Sequence, residues 1–301
     1  MSVSSYVGRF APSPTGMLHF GSLVTAVASY ADAKHNKGRW ILRIDDLDSP
    51  RVVEGSAKNI VDTLDRFGFS WAEPIRWQSA RVHHYREVIT RLVKEGLAYS
   101  CRCSRREIAK IGTPGVDGPI YPGTCRSWDG KGAARTAIRL RSTDTPIHFE
   151  DRLLGHYRQN LETEVGDFVI YRADEMTAYQ LAVVVDDHLD QVSHVVRGAD
   201  LLQSTPRQIF LARQLGFRIP SFAHVPLALD AEGKKISKSA QGASVDPTDP
   251  MPALKQAWHF LGQDALKEDI DTVDEFWFEA IPRWSAEKLA TRSPADASRS
   301  A

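Results

Sequence analysis

Tyr6-Val-Gly-Arg-Phe10, Ala11-Pro-Ser-Pro-Thr-Gly16 and Trp40-Ile-Leu-Arg-Ile44 frame the segment that sets the fold. The first is a short apolar run and the second a proline- and glycine-rich loop. Between that loop and the third run, Leu23, Val27, Tyr30 and Ala31 recur at helical spacing, with Ser22 placed as the cap. Strand, helix and strand within about 40 residues make a βαβ unit, and such units build a parallel sheet. Ligands of parallel sheets bind at the loops that follow the strands, so chemistry is expected first at residues 11–16.

Two amphipathic helices follow. One carries Ile60, Leu64 and Phe67; the other carries Tyr85, Val88, Ile89, Leu92 and Val93, with Gly96 as its stop. Residues 101–125 contain Cys101, Cys103 and Cys125 and the loop Gly112–Pro119, and they read as a small insertion. Strand-like runs resume at Ala137–Arg141, Phe168–Tyr171, Val192–Val196 and Val225–Leu229, with helices expected at Tyr179–Val185 and Thr205–Leu215. The expected domains are a core over 1–240 that includes the insertion 101–125, a short helical region over 241–288 and a disordered tail over 289–301. The helical region carries the patterns Pro252–Leu261 and Asp274–Ala280.

The chain has 301 residues, 42% hydrophobic and 25% charged, which suits one large α/β domain with small appendages. No stretch approaches the length of about 18 apolar residues that a membrane span needs. Met1-Ser-Val-Ser-Ser5 lacks the basic and apolar regions of a secretory signal, so a cytoplasmic protein with no membrane role is expected. Lys plus Arg and Asp plus Glu both number 38, which argues against coating of nucleic acid by bulk charge; an RNA partner needs a local basic face. An odd number of cysteines cannot make a disulfide framework, and their clustering favours a metal.

Two runs carry phosphate chemistry. In Arg9-Phe-Ala-Pro-Ser-Pro-Thr-Gly-Met-Leu-His-Phe-Gly-Ser22, Gly21 at a helix N-terminus offers backbone donors and close approach to a triphosphate. His19 can donate to phosphate oxygens as charge builds. In Lys234-Lys-Ile-Ser-Lys-Ser239, after the turn Asp230–Gly233, a lysine on a mobile loop supplies a compact cation that reaches phosphates and withdraws.

The run 9–22 resembles the signature of glutamyl- and glutaminyl-type class I aminoacyl-tRNA synthetases, whose "HIGH" element matches His19-Phe-Gly-Ser22. The run 234–239 resembles their "KMSKS" loop, with Lys238 at the second lysine. The resemblance, over about residues 6–265, implies a Rossmann-like α/β class I catalytic core with a parallel sheet. It implies catalytic roles for His19 and Lys238, and ATP binding, with Mg2+, by His19, Gly21, Lys235 and Lys238. It places glutamate against Arg9, Ala11, Ser13, Asp45, Tyr179 and Arg197, where arginine forks suit a carboxylate. Asp45 stands where the family commonly has Glu, one methylene longer, so Asp46 or a water could share the ammonium contact.

Three thiolates suit a structural zinc site that wants four ligands, and chemistry alone seeks His148 or His156 as the fourth. The glutamyl-queuosine tRNA(Asp) synthetase family instead shows Cys-x-Cys…Tyr-x-x-x-Cys, which the chain matches at Cys101, Cys103, Tyr121 and Cys125. Two more features resemble that family: Ser22 in place of the second histidine, and only 62 residues after Ser239, too few for an anticodon-binding domain. The implied reaction activates L-glutamate as an adenylate and transfers it to queuosine in tRNA(Asp), by a monomeric enzyme. Three other readings stand beside it: charging of tRNA(Glu), ligation of glutamate to a small amine, and a non-catalytic RNA-binding paralogue.

Overall fold

The computed structural model describes residues 6–71, 74–132, 135–227 and 244–290. It opens with β1 (Val7–Phe10), α1 (Phe20–His35) and β2 (Arg39–Ile44), and the two strands pair in parallel with Val7 opposite Arg39. α1 buries Leu23, Val24, Val27, Tyr30 and Ala31. Its cap is His19 and not Ser22: the His19 Nδ1 accepts the Ser22 N–H at 3.2 Å. His19 has the extended backbone a cap requires, whereas Ser22 already lies in the first turn.

Next come α2 (Ser56–Arg66), β3 (Arg76–Trp77) and α3 (Val82–Lys94). β3 joins β2 in parallel, giving the order β1-β2-β3. α3 stops before Gly96, which holds φ at 72°, a value that a β-carbon disfavours.

The middle of the chain holds β4 (Ala98–Cys101), α4 (Arg105–Ile111), the small hairpin of β5 (Pro114–Gly115) and β6 (Gly118–Pro119), and β7 (Ala137–Leu140). β8 (Ile147–Asp151), β9 (Gly155–Gln159), α5 (Leu161–Glu164) and β10 (Phe168–Tyr171) follow. β10, β7 and β4 form an antiparallel sheet. β4, β8 and β9 had no counterpart in the sequence reading. In β8 and β9 the exposed His148, Glu150, His156 and Arg158 interrupt every apolar run, because one face of this hairpin meets water.

α6 (Tyr179–Leu189), β11 (His194–Gly198), α7 (Thr205–Leu215) and β12 (Ser221–Val225) complete the core. β11, β12 and β8 run parallel, with β9 antiparallel at the edge. β1 lies alongside β11: the Ser193 N–H donates to the Val7 carbonyl at 2.9 Å and the Val7 N–H to Ser193 Oγ at 2.8 Å. The strand expected at Val225–Leu229 ends at Val225 instead, since Pro226 has no N–H for the ladder. The strand expected from Val192 begins two residues later, at His194.

α8 (Pro250–Phe260), α9 (Val273–Arg283) and α10 (Glu287–Ala290) share the core of the first βαβ unit. Trp258, Phe276, Trp277 and Trp284 are buried in one cluster with Leu23, Tyr30 and Trp40. Leu289, read as the start of the tail, is buried there too, and residues 291–301 lie outside the described ones.

Asp32 ties these layers together from near the C-terminal end of α1. Its carboxylate accepts from the Tyr6 hydroxyl, from both terminal nitrogens of Arg152 at 2.6 and 2.9 Å, and from Trp284 Nε1 at 3.0 Å. Burial works against its charge, yet Arg152 prevails and holds the carboxyl below its ordinary range. Asp32→Ala, which strands the Arg152 guanidinium, is expected to cost about 3 kcal/mol of stability, read by urea denaturation.

Candidate functional site

A cleft of about 830 Å³ opens among the loop after β1, the N-terminus of α1, the end of β2, the start of α6 and the end of β11. Arg9, Ala11, Ser13 and Asp45 line it, as do Tyr179 and Arg197 from the far side. His19 and Gly21 line it at the start of α1, where no acidic residue offsets the positive end of the helix dipole. Lys234, Lys235 and Lys238 lie outside the described residues.

Backbone bonds set the loop. The Asp45 N–H donates to the Pro12 carbonyl at 3.0 Å and the Val53 N–H to the Pro14 carbonyl at 2.9 Å, so residues 11–16 are strapped to the chain leaving β2. Because His19 Nδ1 accepts from Ser22, a neutral imidazole carries its proton on Nε2, the nitrogen 3.0 Å from Ser22 Oγ.

The floor of the cleft is ionic. Arg43, wholly buried, donates to Asp45 at 2.8 Å and to Asp187 at 2.7 Å, and its Nε lies 3.7 Å from Asp186. Arg9 approaches Asp187 at 3.4 Å. Asp187 is desolvated, but Arg9 and Arg43 together hold its carboxyl below the ordinary range. Asp45 goes the other way: burial, with Asp186 adding to it, outweighs Arg43 and lifts its pKa to about 6. Asp46 faces elsewhere, accepting from the Ser79 N–H and hydroxyl at 2.8 and 2.7 Å, and does not line the cleft.

Arg197 is different. It is buried, and its hydrogen bonds go to Thr205 Oγ1 at 2.7 Å, His224 Nε2 at 3.1 Å, the Leu201 carbonyl at 3.4 Å and the Tyr179 hydroxyl at 3.5 Å. Every one of these partners is uncharged once His224 is neutral. Burial accordingly pulls Arg197 below its ordinary value, the reverse of Arg43, which three carboxylates hold well above it. The sequence reading assigned no role to Arg43 or His224; a charged residue inside the apolar run Trp40–Ile44 was the available signal for Arg43.

The three cysteines converge as expected, with their sulfurs all within 4.8 Å of one another and Cys103 Sγ 3.5 Å from Cys125 Sγ. Sulfurs around a tetrahedral zinc lie about 3.8 Å apart for bonds of about 2.3 Å, so the set fits that ion. The Tyr121 oxygen lies 3.4 Å from Cys101 Sγ and 3.7 Å from Cys103 Sγ, and it accepts the Cys125 N–H at 2.8 Å. His148 and His156 are not part of the set; they pair with each other at 3.3 Å on the exposed β8–β9 hairpin, where His156 also meets Glu150 at 2.7 Å. The Arg139 guanidinium stands 3.9 Å over the Tyr121 ring and donates to Cys101 Sγ at 3.2 Å, favouring anionic ligands. Without a cation, burial pushes the Cys103 thiol up to about 11 and the Tyr121 phenol further still; a divalent ion inverts that balance.

Comparison with known proteins supplies the context. The model of the family described as tRNA synthetases class I (E and Q), catalytic domain, matches residues 6–249. The glutamyl-Q tRNA(Asp) synthetases of Burkholderia mallei and Dechloromonas aromatica are 50% and 48% identical to the chain, over 94% of it and 97% of each relative. A glutamate tRNA ligase from Elizabethkingia meningosepticum, solved with its amino acid, matches with a TM-score of 0.79 at 26% identity, covering 97% of this chain and 68% of that one. Among the described residues, no helix is long and apolar enough to cross a membrane.

Purified protein is expected to carry about one zinc ion per chain by elemental analysis, and Cys103→Ser to lower that to background while destabilising the insertion. Absence of zinc from the wild type would remove the site.

Proposed function

The chain belongs to the glutamyl-Q tRNA(Asp) synthetase family of class I tRNA ligases, and on that premise we propose that it activates L-glutamate with ATP and transfers it to the queuosine base in the anticodon of tRNA(Asp). The observation that carries the glutamate half is Arg197. A buried guanidinium whose partners are all neutral is a standing demand for one anion, and a substrate carboxylate at the cleft meets it with charge-assisted bonds. Glutamine, with a neutral amide, leaves that charge uncompensated.

The other residues divide the remaining work. Asp45 receives the α-ammonium, and Arg9, Ala11 and Ser13 shape the loop around the amino acid. His19 and Gly21 at the N-terminus of α1 take the phosphates of ATP, which brings its Mg2+ with it. Lys235 and Lys238 are proposed to add positive charge as the reaction proceeds. An oxygen of the glutamate α-carboxylate attacks the α-phosphorus, the bond to the bridging oxygen breaks, and pyrophosphate leaves. A hydroxyl of the queuosine cyclopentene diol then attacks the acyl carbon; AMP departs, the hydroxyl proton is lost, and an ester remains. That diol resembles the terminal ribose diol that other synthetases acylate, so the same core suits either acceptor. Cys101, Cys103, Tyr121 and Cys125 would hold a structural zinc that keeps the insertion folded and takes no part in either step.

The decisive experiment supplies labelled glutamate and ATP with tRNA(Asp) that carries or lacks queuosine, then maps the label by nuclease digestion. Label in the anticodon fragment of the modified tRNA alone is expected. Label at the terminal adenosine would mean conventional charging, and adenylate formation without any transfer to RNA would mean a small-molecule acceptor.

The Asp45 assignment also has a pH signature. With a pKa near 6 before substrate binds, the carboxylate that attracts the ammonium is present above that value and lost below it. The KM for glutamate is therefore expected to rise about tenfold from pH 7 to pH 5 in pyrophosphate exchange. Asp45→Asn should have a raised KM that no longer varies over this range.

A further inference from the structure

We infer that His224, backed by Asp151, is a positioning residue that orients Arg197 without neutralising it, so that the site selects a carboxylate over its neutral amide. The inference rests on the reading that Arg197 receives the glutamate side chain. Arg197 and His224 are direct register partners on the parallel strands β11 and β12, and Phe222 of β12 pairs with Asp151 at the end of β8. Three adjacent strands thus bring an arginine, a histidine and an aspartate together in one layer. Neither His224 nor Asp151 lines the cleft, and both side chains are wholly buried.

Hydrogen-bond roles follow from chemistry. The Arg197 Nε can only donate, so His224 Nε2, 3.1 Å away, accepts. The single proton of the neutral ring then sits on Nδ1 and is donated to Asp151 Oδ2 at 2.6 Å. The other Asp151 oxygen accepts the N–H groups of Leu153 and Leu154, each at 3.0 Å, and of His224 at 3.2 Å. The carboxylate charge is thereby held by backbone donors and the imidazole, one ring away from the guanidinium. Burial keeps the imidazole below its ordinary pKa, consistent with a neutral spacer.

The same cleft shows the alternative. Arg43 and Arg9 touch carboxylates directly, so their charge is met inside the protein, although Arg43 Nη2 has no hydrogen-bond partner among the described residues. An aspartate in direct contact with Arg197 would hold it equally well but cancel the charge that distinguishes glutamate from glutamine. The imidazole passes on orientation and withholds the anion.

The test compares KM for glutamate and for ATP, by glutamate-dependent pyrophosphate exchange, in full-length wild type, His224→Gln and His224→Leu. Gln offers an oxygen toward Arg197 and an amide N–H toward Asp151, so its glutamate KM should stay within about threefold of wild type. Leu offers neither, and should raise the glutamate KM at least about tenfold with the ATP KM within about twofold. Where thermal unfolding shows that the Leu variant does not fold, Thr205→Val removes another neutral acceptor of Arg197 and should give the same glutamate-selective rise. Selective loss with rescue by Gln supports the inference. An unchanged glutamate KM, an equal rise in the Gln and Leu variants, or parallel changes for both substrates overturns it. A wild type without glutamate-dependent exchange would instead overturn the functional reading, and this inference with it.

Discussion

A guanidinium removed from water must be ringed by acceptors, and Arg43 places that requirement at the floor of the cleft. It draws Asp45 from the chain leaving β2 and Asp186 and Asp187 from α6 into one ionic layer. Asp186 in turn accepts from Gln78 at 2.7 Å, Tyr85 at 2.8 Å and Arg81 at 3.1 Å, and Arg81 reaches Asp190 at 2.6 Å. The layer therefore joins β2, α3 and α6, and through Arg9 it joins β1. Such networks are high-stakes in a low dielectric: complete, they hold one geometry, and the loss of a member strands a charge.

On that floor the cleft keeps two kinds of arginine. Arg43 is neutralised in place and acts as scaffold, whereas Arg197 is oriented by neutral groups and retains its charge toward the cleft. Asp45 sits between these regimes, bonded to Arg43 yet desolvated enough to titrate near 6. On the proposed function, the arrangement separates the work of holding the site together from the work of attracting a zwitterion with an extra carboxylate.

The cysteine insertion and the C-terminal helices reach the core by the same kind of bond. Arg126 grips Asp167 through two nitrogens at 2.7 Å, Asp167 also accepts from Tyr99, and Arg207 near the start of α7 meets Asp117 of the small hairpin at 2.8 Å. On the opposite side Asp32 gathers Tyr6, Arg152 and Trp284. Carboxylates paired with arginines, Asp32 and Asp167 among the buried ones, are thus recurrent joints of this chain, and apolar packing fills the space between them.

Much of this was legible in one dimension because it depends on local order. The period of Leu23, Val27 and Tyr30 marks a helix, the stretch 9–22 marks a loop between strand and helix that lines the cleft, and the family follows from residues contiguous in the chain. The convergence of Cys101, Cys103, Tyr121 and Cys125 was also foreseeable, since only 24 positions separate the ends of the set. What pattern could not supply was register and long-range contact. That His224 lies opposite Arg197, that Asp151 backs it from a strand more than seventy residues earlier, and that His148 and His156 pair with each other away from the cysteines follow from how strands align in three dimensions. Class, loop chemistry and candidate residues were set by the sequence alone, through local periodicity and motif spacing. Which charges are neutralised and which are left for a substrate was decided only by the tertiary structure, because burial and pairing are properties of neighbours in space.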